Sequence, residues 1–173
     1  MSQLKVNSIV PAGGLQSGAN GGIIQVIQTV KTDTFSTSSG SFTDITGLSV
    51  SITPSSSSNK ILVIVDLMVG SDNDSQCMFL LRRGSSSINF GDNDGSRSQN
   101  FAEIGGAEDY DQTSCSTHFL DSPATTSATT YKVQMRVTGS THFLNRSQSD
   151  SNNSNESRTT SSITVMEVSA QWQ

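Results

Sequence analysis

Over residues 131–137 every second side chain is apolar: Tyr131, Val133, Met135 and Val137 alternate with Lys132, Gln134 and Arg136. A segment whose side chains divide with period two can bury one face only as a β-strand. The same signature appears at 48–52, where Leu48, Val50 and Ile52 alternate with Ser49 and Ser51 before Pro54 and a serine run end it. Segment 60–69 goes further. Ile61, Val63, Val65, Leu67 and Val69 share one phase, and Leu62, Ile64 and Met68 share the other, interrupted by Asp66. Its β-branched content disfavours a helix and predicts a central strand buried on both sides. Further strands are expected over 23–30, 76–83, 87–90, 113–120, 141–144 and 162–169, and no segment longer than a turn has helical periodicity.

Short strands joined by Gly-, Ser- and Asn-rich connections predict an all-β fold, an antiparallel β-sandwich of jelly-roll type. Apolar residues are only 32% of the 173-residue chain and charged residues 14%, so the core is lean. The apolar residues nevertheless gather into compact runs, which argues for folding rather than disorder. Residues 1–22 read as an extended N-terminal docking arm, too glycine-rich to bury a core of its own. Leu4, Val6, Ile9, Val10 and Leu15 are its expected docking contacts, and its short alternating segment could add a strand to another chain's sheet edge. Residues 23–173 form the single β-domain. Several strands are apolar on both faces, so the N-terminal arm is expected to cover part of the surplus and a second or third copy of the chain the rest.

A formal charge of −5 and a sequence pI near 4.8 leave no basic stripe for phosphates, so no nucleic-acid partner is expected. No run of 18 apolar residues is present, and residues 1–10 lack the apolar region of a signal peptide. The chain is therefore expected to be assembled inside a cell, without membrane insertion. Cys77 and Cys115 fall in apolar strand patterns and are expected as two buried thiols, with a disulfide between them as the other reading.

Catalytic and metal-binding patterns are weak. Asp72 and Asp74 in one loop, and Asp92 and Asp94 in another, place two carboxylates two residues apart, as calcium loops do. An EF-hand built on Gly95 would, however, put Phe90 and Phe101 at its end ligand positions, so solvated turns are the expectation. His118 and His142 are the only histidines, and Cys115 alternates to the opposite strand face from His118. His118, Asp121 and Ser122 lie too close along one strand end to converge as a triad, and no nucleophile elbow or phosphate loop is present. No enzyme activity, metal or cofactor is expected. The polar tract 147–158, with Asn152, Asn153 and Asn155, offers amides and hydroxyls to a sugar, although a plain solvated loop has the same composition. Arg97 joins the loop 91–100 as a further candidate contact.

Several stretches carry a resemblance. Leu4-Lys5-Val6-Asn7-Ser8-Ile9 before a Pro/Gly-rich turn resembles the N-termini of virion appendage proteins of marine tailed phages. Ser57-Ser58-Asn59-Lys60-Ile61-Leu62-Val63, Gly91-Asp92 with Gly95-Ser96-Arg97, and Leu120-Asp121-Ser122-Pro123 running into Thr129-Thr130-Tyr131-Lys132-Val133-Gln134 resemble one recurring phage structural domain. Leu144-Asn145-Arg146-Ser147 and the segment from Ser161 to Val168 continue it in the same order. The resemblance implies a tail-fibre-like or capsid-decoration protein of jelly-roll form, assembling as a homotrimer with other virion proteins. It implies location in the virion after assembly in the host cytoplasm, and it offers no catalytic residues. Three roles follow as expectations. One is an appendage such as a short tail fibre, whose loops meet a host surface glycan. The others are a capsid decoration or cement protein and, more distantly, a free carbohydrate-binding module.

Overall fold

The computed structural model describes residues 22–70, 75–105 and 111–170. The docking-arm residues Leu4, Val6, Ile9, Val10 and Leu15, and the loop carboxylates Asp72 and Asp74, lie outside the described residues. Eleven strands and no helix make up the described chain: β1 Ile23–Lys31, β2 Phe35–Thr37, β3 Thr43–Ile52, β4 Lys60–Gly70, β5 Gln76–Arg83 and β6 Ser86–Ile88. They continue as β7 Ala102–Ile104, β8 Thr113–Asp121, β9 Thr129–Thr138, β10 His142–Leu144 and β11 Ser161–Val168.

The strands form two antiparallel sheets packed face to face, a β-sandwich. In the first, β1 pairs with β11, β11 with β4, and β4 with β8; β10 takes over the β11 edge of β4 at Val69 and Gly70 and carries β2. The second runs β3-β9-β5, with β6 and β7 sharing the outer edge of β5. The inward phases predicted from alternation meet between the sheets. Ile61, Val63, Val65, Leu67 and Val69 of β4 face Phe79 and Leu81 of β5 and Tyr131, Val133 and Met135 of β9 in one cluster, all essentially without solvent contact. Phe79 also meets the Phe101 ring, centroids 6.2 Å apart.

Three differences from the sequence expectations have physical causes. The strand expected at 48–52 starts earlier, at Thr43, and contains a register shift between Asp44 and Ser49. Gly47 sits there at φ +80°, a conformation open to glycine, so the residue that looked like punctuation is a bulge inside the strand. Strands β2 and β7 span three residues each, too few for alternation to show. Last, β4 is not buried on both sides. Its odd-numbered residues are sealed in the core, while Leu62, Ile64 and Met68 on the other face are only half-buried.

The two outer faces are finished differently. On the second sheet, Met78 and Leu80 point outward from β5 yet are nearly buried, because Arg136 and Gln134 stand opposite them on β9. Long polar side chains lay their stems over apolar neighbours and keep their heads in water. Arg82 Nε donates to Gln134 at 2.8 Å, and Lys132 and Gln134 both donate to Asp44, at 2.6 and 2.7 Å. Among the described residues the first sheet has no comparable cover.

Candidate functional site

Two features of the surface stand out, an apolar row across the first sheet and a braced polar loop at its end. The row is built by register. Val26 of β1 stands opposite Met166 of β11, Met166 opposite Leu62 of β4, and Leu62 opposite Leu120 of β8. All four side chains point away from the core, and Val26 and Leu120 are 54% and 53% exposed. The next row is Gln28, Thr164, Ile64 and His118. Ile23, Ile24 and Val30 extend the exposed apolar surface along β1. Formal charge on the outward β1, β11, β4 and β8 positions is confined to Lys60 and Asp66, which flank the two rows on β4. A water-facing sheet ordinarily alternates to polar residues, so a row apolar on four adjacent strands is a candidate interaction surface.

The polar loop, residues 146–158, hangs from Asn145. Asn145 takes φ +64°, which asparagine tolerates better than most residues, and its backbone N–H donates to Met68 O at 2.9 Å. Its side-chain amide donates to the carbonyls of Lys31 and Asp33, at 2.9 and 2.8 Å, and its oxygen accepts the Ser161 hydroxyl at 2.6 Å. Thr159 N–H closes the loop by donating to Asn145 O at 3.2 Å. One buried side chain thus ties together the loop's two ends and the segment after β1. At the loop entrance the Arg146 guanidinium lies over the Phe143 ring, 3.8 Å from its centroid.

Within the loop Glu156 acts as the brace. Its carboxylate accepts the Ser151 hydroxyl and backbone N–H, both at 2.6 Å, and the Ser149 hydroxyl at 2.9 Å. The Ser151 hydroxyl, then the other donors and the Arg158 charge, hold the Glu156 carboxyl below its ordinary range. Arg158 pairs with Asp150 at 2.5 Å. These contacts frame a hollow of about 280 Å³ lined by Asp150, Asn152, Asn153, Glu156 and Arg158 with neighbouring serines. Of the amides singled out from sequence, Asn152 and Asn153 line this hollow, and the Asn153 side-chain oxygen accepts the Asn155 backbone N–H at 3.0 Å; Asn155 is exposed and outside the hollow's lining.

The second expected loop is separate. Asp92 and Asp94 are exposed, and Arg97 pairs with Asp94, which commits that carboxylate to its own turn around Gly95 at φ +60°. No hydrogen bond or ion pair between described residues joins loop 91–100 to loop 147–158. Among the described residues no cluster of three or more His, Cys, Asp or Glu could hold a metal ion. His118 lies on the exposed face of β8 and Cys115 in the core, as their spacing requires. His142 is buried elsewhere, its Nε2 2.7 Å from the Ser75 hydroxyl. Cys77 and Cys115 are both free and buried, and burial pushes the Cys115 thiol up to about 11.

Two buried carboxylates escaped the sequence reading. Asp121, at the end of β8, accepts the Tyr131 hydroxyl at 2.6 Å and two contacts from Arg83 at 2.9 Å. Glu167 of β11 is sealed from solvent and accepts Gln25, the Ser55 N–H and hydroxyl, and Asn59, all at 2.6–2.7 Å. A signal was present: both occupy inward strand phases, behind Phe119 and behind Val165. A charge in an inward phase must have buried partners.

No protein-family model matches the chain, and no curated protein matches it in sequence.

Proposed function

We propose that this chain is a structural building block of a phage virion, an appendage such as a short tail fibre. In this reading it docks through residues 1–22 and exposes polar loops toward a host surface glycan. The observation that carries the building-block reading is the apolar row Val26-Met166-Leu62-Leu120, which a solitary domain would leave against water. The virion assignment rests on the ordered resemblance of the sequence stretches to a phage structural domain. Strand order supports the jelly-roll form: β1-β11-β4-β8 faces β3-β9-β5-β6, with the long strands alternating between sheets along the chain, as two interleaved Greek keys do. A trimer is what the resemblance implies, and the row provides a surface through which copies can associate.

The braced hollow of loop 147–158 favours host contact, because amides, hydroxyls and carboxylates held in fixed positions are what a sugar's hydroxyls recognise. The breadth of the apolar row, four strands wide, equally suits a domain seated flat on capsid subunits, so decoration of the head is the second reading. Counting copies in purified particles by quantitative mass spectrometry tests both. A few copies per particle support the appendage, and hundreds support the decoration. A chain absent from particles overturns the virion reading altogether.

A further inference from the structure

The outward residues of β4 match themselves under a twofold rotation. We propose that the occupant of the first sheet's outer face is a second copy of the same chain, packed face to face across an axis that crosses β4 between Leu62 and Ile64. The proposal deepens the building-block reading by naming the partner and the contact.

Strand β4 presents Lys60, Leu62, Ile64 and Asp66 outward in that order. Reversing the strand about the midpoint of this run sets Lys60 of one copy opposite Asp66 of the other, twice, and Leu62 opposite Ile64. The two charged positions of the face are thereby paired with opposite signs at the rim. Had both carried the same sign, the reversed arrangement would place like charges together. Lys60 and Asp66 are six residues apart, or roughly 20 Å at the rise of a strand, so the charges flank the apolar centre rather than enter it. The centre holds the row Val26, Met166, Leu62 and Leu120, which the rotation sets against Gln28, Thr164, Ile64 and His118 of the other copy, with one Gln28 amide hydrogen already donated to Thr164 at 2.9 Å. Two sheets packed about 10 Å apart would interdigitate these side chains as the two sheets of one copy already do inside. The second sheet could not serve in this way, because Arg82, Lys132, Gln134 and Arg136 dress its outer face.

Neighbouring groups do not oppose the pairing. The Lys60 ammonium donates to the Ser122 hydroxyl at 2.6 Å, a surface contact that leaves the head free to turn. Asp66 stands between Ser162 and Ser116. The contact is isologous, so it closes at two copies, and larger assemblies that retain it contain an even number of chains, in place of the trimer that the resemblance implies.

The test is the mass of the full-length chain in solution, measured by sedimentation at about 100 µM, where even a small specific interface is populated. A dimer or another even assembly is expected. Lys60→Glu should weaken it by about tenfold or more, because it sets like charges together twice. Adding Asp66→Lys to that variant should restore the wild-type mass, since the swapped pair is complementary again. Leu62→Asp should leave a monomer; if that variant fails to fold, the charge-swap series still decides. A monomeric wild type, an odd number of chains, or an assembly indifferent to Lys60→Glu overturns the proposal. Each of these outcomes concerns the isolated chain, so it is distinct from the chain's presence or absence in purified particles.

Discussion

The Tyr131 hydroxyl donates to the Asp121 carboxylate at 2.6 Å, joining β9 of the second sheet to the end of β8 in the first. Arg83 from β5 reaches the same carboxylate, so a buried acid is satisfied from the opposite sheet by a phenol and a guanidinium together. Burial first, and the Asp121 bond second, push the Tyr131 hydroxyl well above its ordinary range, so it stays a donor. Tyr131→Phe removes one donor but leaves Arg83 in place, and should cost about 1–2 kcal/mol. Asp121→Ala strands a buried phenol and a partly buried guanidinium, and should cost about 2–4 kcal/mol. Urea unfolding midpoints check the order; a Phe variant weaker than the Ala variant would contradict this account.

Glu167 predicts an acid-sensitive step. Burial pushes its carboxyl up, but hydrogen bonds from Asn59, Gln25 and Ser55 outweigh burial and hold it at about 2, below its usual 4.5. A depressed carboxylate stabilises the fold above its unfolded value and loses that contribution as pH falls toward the folded one. Stability should therefore decline between about pH 4.5 and pH 2 by an amount on the order of 1–3 kcal/mol from this group. Glu167→Gln should flatten that part of the melting-temperature profile while lowering stability at pH 7. A profile equally steep in the variant would assign the acid sensitivity to other carboxylates.

Alternation made the long strands legible because burial of one sheet face leaves a period-two trace in the sequence. Strands β1, β4, β5, β8, β9 and β11 fall within a residue or two of where that trace placed them. Sheet membership left no such trace. That Val26, Met166, Leu62 and Leu120 form one row follows from pairings between residues up to 140 positions apart, which no local pattern carries. The surplus apolar phase of β4 was visible, but the sequence placed it inside a core; only pairing shows that it forms an outer face. Asn145 was hidden for the same reason, since its role depends on carbonyls at Lys31 and Asp33 far earlier in the chain.

Gly70 is the point where β4 passes beneath the polar loop. A Cβ there would sit 2.1 Å from Arg146 O and 2.9 Å from Ser147 Cα, both backbone atoms that cannot swing aside. Gly70→Ala should push the loop entrance away and cost about 1–3 kcal/mol through overpacking. Gly91→Ala is the control, because a Cβ there meets nothing within 4 Å. Thermal melts of the two variants should separate clearly, with faster hydrogen exchange at Asn145 and Thr159 in the Gly70 variant alone.

The braced hollow leads to the last prediction, on the reading that loop 147–158 meets the host. Glu156 holds the Ser149 and Ser151 hydroxyls and the Ser151 N–H, so removing its carboxylate should loosen the turn without touching the core. Because its pKa is lowered, that order is present above the ordinary carboxylate range and fades as pH falls through the lowered value. Glu156→Ala should speed exchange of the Ser151 amide and leave the melting temperature nearly unchanged, since the residue is at the surface. Particles carrying it should adsorb more slowly, because a contact surface that must first be ordered binds less well. Asp92→Ala, in the separate exposed loop, isolates the effect: if both variants adsorb like wild type, neither loop is the host contact, whereas loss with Glu156→Ala alone assigns contact to the braced hollow.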